Sequence, residues 1–216
     1  NFVYRVSDGK HHLIVKQSTL EARSKGSFTL DLNRYKLEYD AMKICAAIVP
    51  DLIPKLYDCD EENRVFITED VSYLRISRFQ LLKGVTYPKL ADQIARYMAA
   101  TQFYTSEYYL DTKRFRDLSV HFMNTTMRKI MEVGMFLTSV TPEDTVGRPL
   151  DPEFITFSKR ICADPAVLLA RQKLRHLFMS KGECLIHCDL HTSNIFASQT
   201  EAKVIDMEYY LFGPFA

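Results

Sequence analysis

The chain has 216 residues, a mass of 25.1 kDa and 47% hydrophobic residues, enough to bury a substantial core in one large domain or two unequal lobes. Twenty-eight Lys and Arg stand against 27 Asp and Glu, and the net charge of +1 excludes a general attraction for nucleic acid or anionic membranes. The longest purely apolar run, Ile44-Cys-Ala-Ala-Ile-Val49, falls far below the roughly 20 residues that cross a bilayer.

The segment Asn1-Phe-Val-Tyr-Arg-Val6 reads as a strand, without the apolar core or the small-residue cleavage site of a secretion signal. Because it lacks an initiator Met, further residues are expected upstream. The Asp8-Gly9 pair predicts a hairpin turn into a second strand, Leu13-Ile-Val-Lys-Gln17. After a polar stretch containing Gly26, the helix formers of Arg34 to Ala46 predict a helix ending before Pro50, with Leu37, Ala41 and Ile44 on one face. Strands follow at Lys55 to Asp58 and Arg64 to Glu69, joined by the acidic turn Cys59-Asp-Glu-Glu-Asn63. The order describes a sheet with one packed helix.

Beyond Asp70 the pattern turns helical. Pro88 opens a helix whose stripe is Leu90, Ile94, Tyr97, Met98 and Thr101. A second helix is predicted over about Leu118 to Phe136. A third has Asp164 as N-cap, Pro165 at its first position and Val167, Ala170, Leu174, Leu177 and Phe178 on one face, with Gly182 closing it. Strand signals return at Cys184 to His187, Asn194 to Ala197 and Lys203 to Asp206. The expected division is a small β-rich lobe over residues 1–69 and a mainly helical one over 70–216. The 12 Tyr and 14 Phe are expected in the core and between the lobes, and Lys113, Arg114, Arg116 and Lys129 on solvated helix faces.

Chemistry concentrates in His187-Cys-Asp-Leu-His-Thr-Ser-Asn194, a polar loop between two apolar strands. Asp206 and Glu208 are two apart, so on a continuing strand both carboxylates would face one cation. Asp, Glu and Asn are hard oxygen donors suited to Mg²⁺. Phosphoryl transfer requires a base at the attacking hydroxyl, metal bridging the phosphate oxygens, and a Lys on the phosphates. Asp189 suits the base, Asn194 and Asp206 the metal ligands, and Glu208 a second ligand or helper. Lys16 suits the α- and β-phosphates of ATP, with Glu38 pairing to it. Each residue singly has an ordinary reading as a surface charge, loop cap or turn; their joint order points to the chemistry.

The loop and the following Ile205-Asp-Met-Glu208 resemble the His-Gly-Asp-(Leu/Phe)-His-x-x-Asn and Ile-Asp-x-Glu signatures of the aminoglycoside-phosphotransferase and choline-kinase superfamily, which has a protein-kinase-like fold. Within it, three stretches resemble the 5-methylthioribose kinases: Asn1-Phe-Val-Tyr4 leading to Val15-Lys-Gln17, Leu190 to Ala197, and Lys203 to Phe215 with its Gly213-Pro214. The resemblance implies a two-lobed α/β (α+β) fold and an ATP- and Mg²⁺-dependent cytoplasmic kinase of a small alcohol, methylthioribose in methionine salvage. It also implies an adenine-binding hinge at Glu69, Asp70 and Val71, homodimerisation of a longer protein, and chain missing at both ends. Choline, ethanolamine, an aminoglycoside or homoserine are alternative acceptors. Two departures stand out: Cys188 replaces the usual Gly, and Ser193-Asn194 replaces Gly-Ser.

Two readings compete. Cys184, His187, Cys188 and His191 are all competent zinc ligands, although Cys184 and His187 would face opposite sides of a strand. A kinase-like module that binds nucleotide without transfer is the other. Five cysteines at irregular spacing are expected as reduced thiols.

Overall fold

The computed structural model describes residues 1–19, 31, 33–137 and 151–215. The stretch around Gly26 lies outside them. Among the described residues no helix is long and apolar enough to cross a membrane.

The chain opens with the hairpin β1 (Phe2–Ser7) and β2 (His12–Gln17). Gly9 takes φ 91° in its turn, a conformation that costs a glycine little, and Asp8 accepts from the amides of Lys10 and His11 at 2.8 and 2.7 Å. Strands β3 (Leu56–Asp60) and β4 (Val65–Glu69) complete an antiparallel sheet of order β1-β2-β4-β3. Helix α1 (Arg34–Ile48) packs beside it.

The buried face of α1 is not purely apolar. Ala41, Met42 and Cys45 are in the core, but so are Arg34 and Glu38, while Leu37 and Ile44 are only partly buried. Hydropathy places charged residues outside, whereas here both find ionic partners within the fold and the helix is rotated to present them.

Short β5 (Arg75–Ile76) and α2 (Ser77–Leu81) lead to α3 (Leu90–Tyr104), whose expected stripe holds: Tyr97 and Thr101 are buried, and Leu90, Ile94 and Met98 lie against the core. The helix expected over 118–136 is interrupted. Helix α4 (Thr112–His121), capped by Asp111, stops where Phe122 turns fully into the core. Asn124 then takes φ 41°, and its amide donates to the carbonyls of Glu208 and Tyr210 at 3.1 and 2.9 Å. Those two bonds stabilise a left-handed residue that a continuous helix would not contain. Helix α5 (Thr125–Met131) follows and continues as a π-helical turn over Glu132–Leu137.

Helix α6 (Pro152–Ala163), capped by Asp151, was absent from the expected set. In α7 (Pro165–Ser180) the side chain of Asp164 accepts from the Ala166 amide at 2.8 Å, as the cap signal predicts. Of its anticipated apolar face Phe178 alone is buried; Val167, Leu174 and Leu177 are exposed among the described residues. The helix ends through extended Lys181 rather than at Gly182.

The C-terminal strands form two small sheets. β6 (Cys184–Ile186) pairs with β9 (Leu211–Gly213), and β7 (Ile195–Ala197) lies between β5 and β8 (Ala202–Val204). At Gly213 an added Cβ would meet the Ile186 side chain, which would have to move to keep the β6–β9 pair closed. The main core joins α1, Phe66 of β4, Tyr97 of α3, Phe122, Leu185 and the run Val204 to Phe212. The aromatic expectation is only partly met: Tyr35, Phe66, Tyr97, Phe122, Phe178, Tyr210 and Phe212 are buried, whereas Tyr57, Tyr73, Tyr108, Tyr109 and Phe154 are more than half exposed. Lys113, Arg114, Arg116 and Lys129 are all exposed.

Candidate active site

A cleft of about 330 Å³ opens between the four-stranded sheet and the C-terminal strands, with Val3, Ile14, Phe66, Val71, Phe196 and Ile205 supplying apolar walls. Lys16, Glu38 and Asp206 line it, as do Glu69, Asp70 and Val71. Lys16 pairs across the ladder with Phe66, and Leu13 with Glu69. The charged group and the end of β4 are therefore three rungs apart, about 10 Å at 3.4 Å per residue.

The Lys16 ammonium donates to Glu38 Oε1 at 2.7 Å and to Asp206 Oδ1 at 2.6 Å. Burial works against its charge, but Glu38 and Asp206 more than reverse this and leave its pKa raised. Burial also pushes Glu38 up to about 7, against the pull of Lys16. In Asp206 burial is outweighed by Lys16, which holds the carboxyl below its ordinary value. Asp206 is thus the firmly ionised partner. Glu38 Oε1 also accepts from the Met207 amide at 3.2 Å, whereas Glu38 Oε2 is enclosed and has no hydrogen-bond partner among the described residues.

Asp206 and Glu208 do converge, though not as alternate strand residues. Strand β8 ends at Val204, Asp206 takes φ 65°, and Met207–Tyr209 is a single 3₁₀ turn. That reversal brings one oxygen each of Glu38, Asp206 and Glu208 within 4.8 Å of one another. Three carboxylates, one with an unpartnered buried oxygen, form a donor set chemically suited to a hard divalent cation.

The loop beside them is built around His187. Its Nε2–H donates to the Ile205 carbonyl at 3.1 Å, and its Nδ1 accepts from the Asp189 amide at 3.3 Å. Burial lowers its pKa to about 4, which keeps the ring neutral between Tyr97 and Tyr210. With the unfolded value near 6.5, the stability this residue contributes is present above about pH 6.5 and lost as pH falls toward 4. We expect wild-type protein to lose on the order of 3 kcal/mol more than a His187→Gln variant over that window, at about 1.4 kcal/mol per pKa unit. Denaturant unfolding at pH 7.5 and pH 4.5 measures the difference.

Asp189 and Asn194 also meet. Asn194 Nδ2 donates to the Asp189 carbonyl at 3.0 Å and to its Oδ2 at 3.1 Å, so the amide nitrogen of Asn194 is engaged by Asp189. Burial raises the pKa of the half-buried Asp189 carboxyl, and Asp206 adds to this. Between His187 and Asp189, Cys188 adopts φ 61°. A glycine takes that conformation freely, which gives a physical reason for Gly in the signature. Cys188→Gly is expected to fold normally, and Cys188→Val to lose about 1–2 kcal/mol of stability in thermal unfolding, because a β-branched residue is poorly accommodated at positive φ.

The anticipated hinge lines the far part of the cleft, with its side chains committed elsewhere. Asp70 accepts from the Ser72 amide at 2.9 Å and from Arg5 Nε at 2.5 Å; Glu69 accepts from the Lys55 amide at 3.1 Å. The four proposed zinc ligands do not gather: Cys184 is buried in β6, His187 is used by the loop, and among the described residues the clustered ligand group is the carboxylate trio. All five cysteines are free thiols.

Sequence reasoning passed over two supports. Ser77 Oγ and the Arg78 amide donate to the Thr192 carbonyl at 2.8 and 3.0 Å, bracing the loop from the start of α2. Arg34 reaches Glu208, one helical turn before Glu38, and that spacing was the available signal.

The sheet with its single helix, the lysine shared by Glu38 and Asp206, and the Asp189–Asn194 loop make up a protein-kinase-like fold. An ethanolamine kinase from Plasmodium vivax aligns with a TM-score of 0.50 at 17% identity, over 96% of this chain and 53% of that one. No family model matches the sequence. The chain is similar to methylthioribose kinases: it is 37% identical to one from Bacillus cereus and 36% identical to one from Bacillus thuringiensis, over all 216 residues. It spans about half the length of these relatives, 54%.

Proposed function

We propose that this chain forms the nucleotide-binding and catalytic part of an ATP-dependent kinase that phosphorylates 5-methylthioribose at its position-1 hydroxyl. The observation that carries the reaction class is Lys16 held between Glu38 and Asp206 in an apolar cleft beside the Asp189–Asn194 loop. The acceptor rests on likeness to methylthioribose kinases along the whole chain.

In this reading residues 1–69 form the nucleotide lobe and 70–216 the catalytic one. The apolar walls take the adenine, and the backbone of Glu69, Asp70 and Val71 orients its edge. Lys16 steadies the α- and β-phosphates, with Glu38 holding the ammonium. Asp206 and Asn194, assisted by Glu208, hold Mg²⁺, which when bound offsets charge on the phosphate oxygens. Asp189 orients the acceptor hydroxyl and takes its proton; burial raises its basicity for that task.

The test is ADP formation from Mg-ATP with methylthioribose, choline, ethanolamine, homoserine and an aminoglycoside in parallel. Stimulation by methylthioribose above the others supports the assignment. Stimulation by another acceptor alone would retain the class and replace the substrate, and none at all would remove both.

A further inference from the structure

Arg34 is the most deeply buried charged side chain in the described structure, 1% exposed, and it lies in the first turn of α1. Its Nε donates to Glu208 Oε2 at 3.2 Å, its second terminal nitrogen to Asn1 Oδ1 at 2.5 Å, and its first to the Asp31 carbonyl at 2.9 Å. Asn1 Nδ2 in turn donates to the same Glu208 Oε2 at 2.7 Å. The Glu208 carboxylate is thereby fixed by two donors that are themselves bonded together.

Four residues on, Glu38 bonds Lys16 and the Met207 amide. Residues four apart lie one above the other on the same helix face. Helix α1 therefore grips the reversal at Asp206–Glu208 at two points, through Glu38 at Met207 and through Arg34 at Glu208. This reversal starts from a positive-φ aspartate and spans only one 3₁₀ turn. A turn so short has little internal means of fixing where the Glu208 carboxylate points.

Resting on the phosphotransfer reading above, we propose that Arg34 is a positioning residue for the divalent-cation site, acting through Glu208. The planar guanidinium fork sets the orientation of one carboxylate oxygen, and Lys cannot reproduce a fork that serves Glu208, Asn1 and Asp31 together. An anchor for the N-terminal segment alone would predict a loss of folding stability with no specific effect on the metal.

The experiment is Mn²⁺ binding to purified protein, followed by the electron paramagnetic resonance signal of free Mn²⁺, for wild type, Arg34→Met, Arg34→Lys, Glu208→Gln and the Arg34→Met/Glu208→Gln double variant. Thermal unfolding is recorded for each. Removing a residue that orients a metal ligand typically weakens affinity about 10- to 100-fold. Arg34→Met is expected to fall in that range and Arg34→Lys between it and wild type. The double variant should bind no more weakly than Glu208→Gln alone, because Arg34 has no other route to the metal. Wild-type affinity in a folded Arg34→Met or Arg34→Lys protein, or losses that multiply in the double variant, would overturn the proposal. If Arg34→Met does not fold, the Lys variant decides. Mn²⁺ binding by wild type with unchanged affinity in the Arg34 variants removes this inference only; absence of binding in wild type removes the cation site itself, and with it the phosphotransfer reading.

Discussion

Asp189→Asn is expected to lower kcat for phosphoryl transfer by about 10²- to 10⁴-fold, the usual contribution of a positioned acid–base group, with nucleotide affinity nearly unchanged. Asn in this place can still accept from Asn194 Nδ2, so the loop hydrogen bond at 3.1 Å survives, but it cannot take a proton from an alcohol. Titration of ATP into the variant checks that the cleft is intact. Steady-state assays check the rate. Because burial raises the carboxyl pKa, the acidic limb of the wild-type rate profile should lie above the ordinary aspartate value of 3.8. A variant with full activity would remove Asp189 from the chemistry.

Lys16→Met is expected to act on both stability and function. The ammonium lies 2.7 Å from Glu38 and 2.6 Å from Asp206, and a methionine leaves the buried Glu38 carboxylate unpaired and facing the partly exposed Asp206. Removing one partner of a buried ion pair costs about 3–5 kcal/mol. The cost should depend on pH in a defined direction. Burial already places the Glu38 pKa at about 7, above its ordinary 4.5, and loss of Lys16 removes the main opposing pull. A carboxyl raised in the folded state contributes stability at low pH and loses it as pH rises through the folded value. The deficit relative to wild type should therefore shrink from pH 8 to pH 6. Denaturant unfolding at the two pH values measures it, and a deficit that grows on acidification would contradict the description of this pair. Phosphoryl transfer should be lost in the variant at either pH.

How much of this was legible in the sequence differs from element to element. The hairpin at Asp8-Gly9, the helix over 34–48, the stripe of Tyr97 and Thr101, and the cap at Asp164 all announce themselves by local rules, and local rules determine them. The site residues could be proposed because Lys16, Glu38, Asp189, Asn194, Asp206 and Glu208 occur in an order that phosphoryl transfer explains. What hydropathy could not show was any feature requiring a distant partner. The inner face of α1 carries Arg34 and Glu38 because Glu208, Asp206 and Lys16 come to meet them from up to 174 residues away. The expected helix over 118–136 breaks at Asn124 because the carbonyls of Glu208 and Tyr210 claim its amide. The carboxylates of residues 206 and 208 converge through a left-handed aspartate and a 3₁₀ turn, where alternation along a strand was the simpler reading. Cys188 was noticeable as a departure from Gly, yet its φ of 61° belongs to the folded loop.

Transfer of a phosphoryl group to an alcohol can be followed by ³¹P nuclear magnetic resonance of a mixture of the protein, Mg-ATP and methylthioribose. The γ-phosphate resonance of ATP is expected to decline as a sugar phosphate ester resonance and ADP appear in equal amounts, and Asp189→Asn to slow all three changes greatly. Inorganic phosphate in place of the ester, or an ester forming equally fast with the Asn variant, would contradict it.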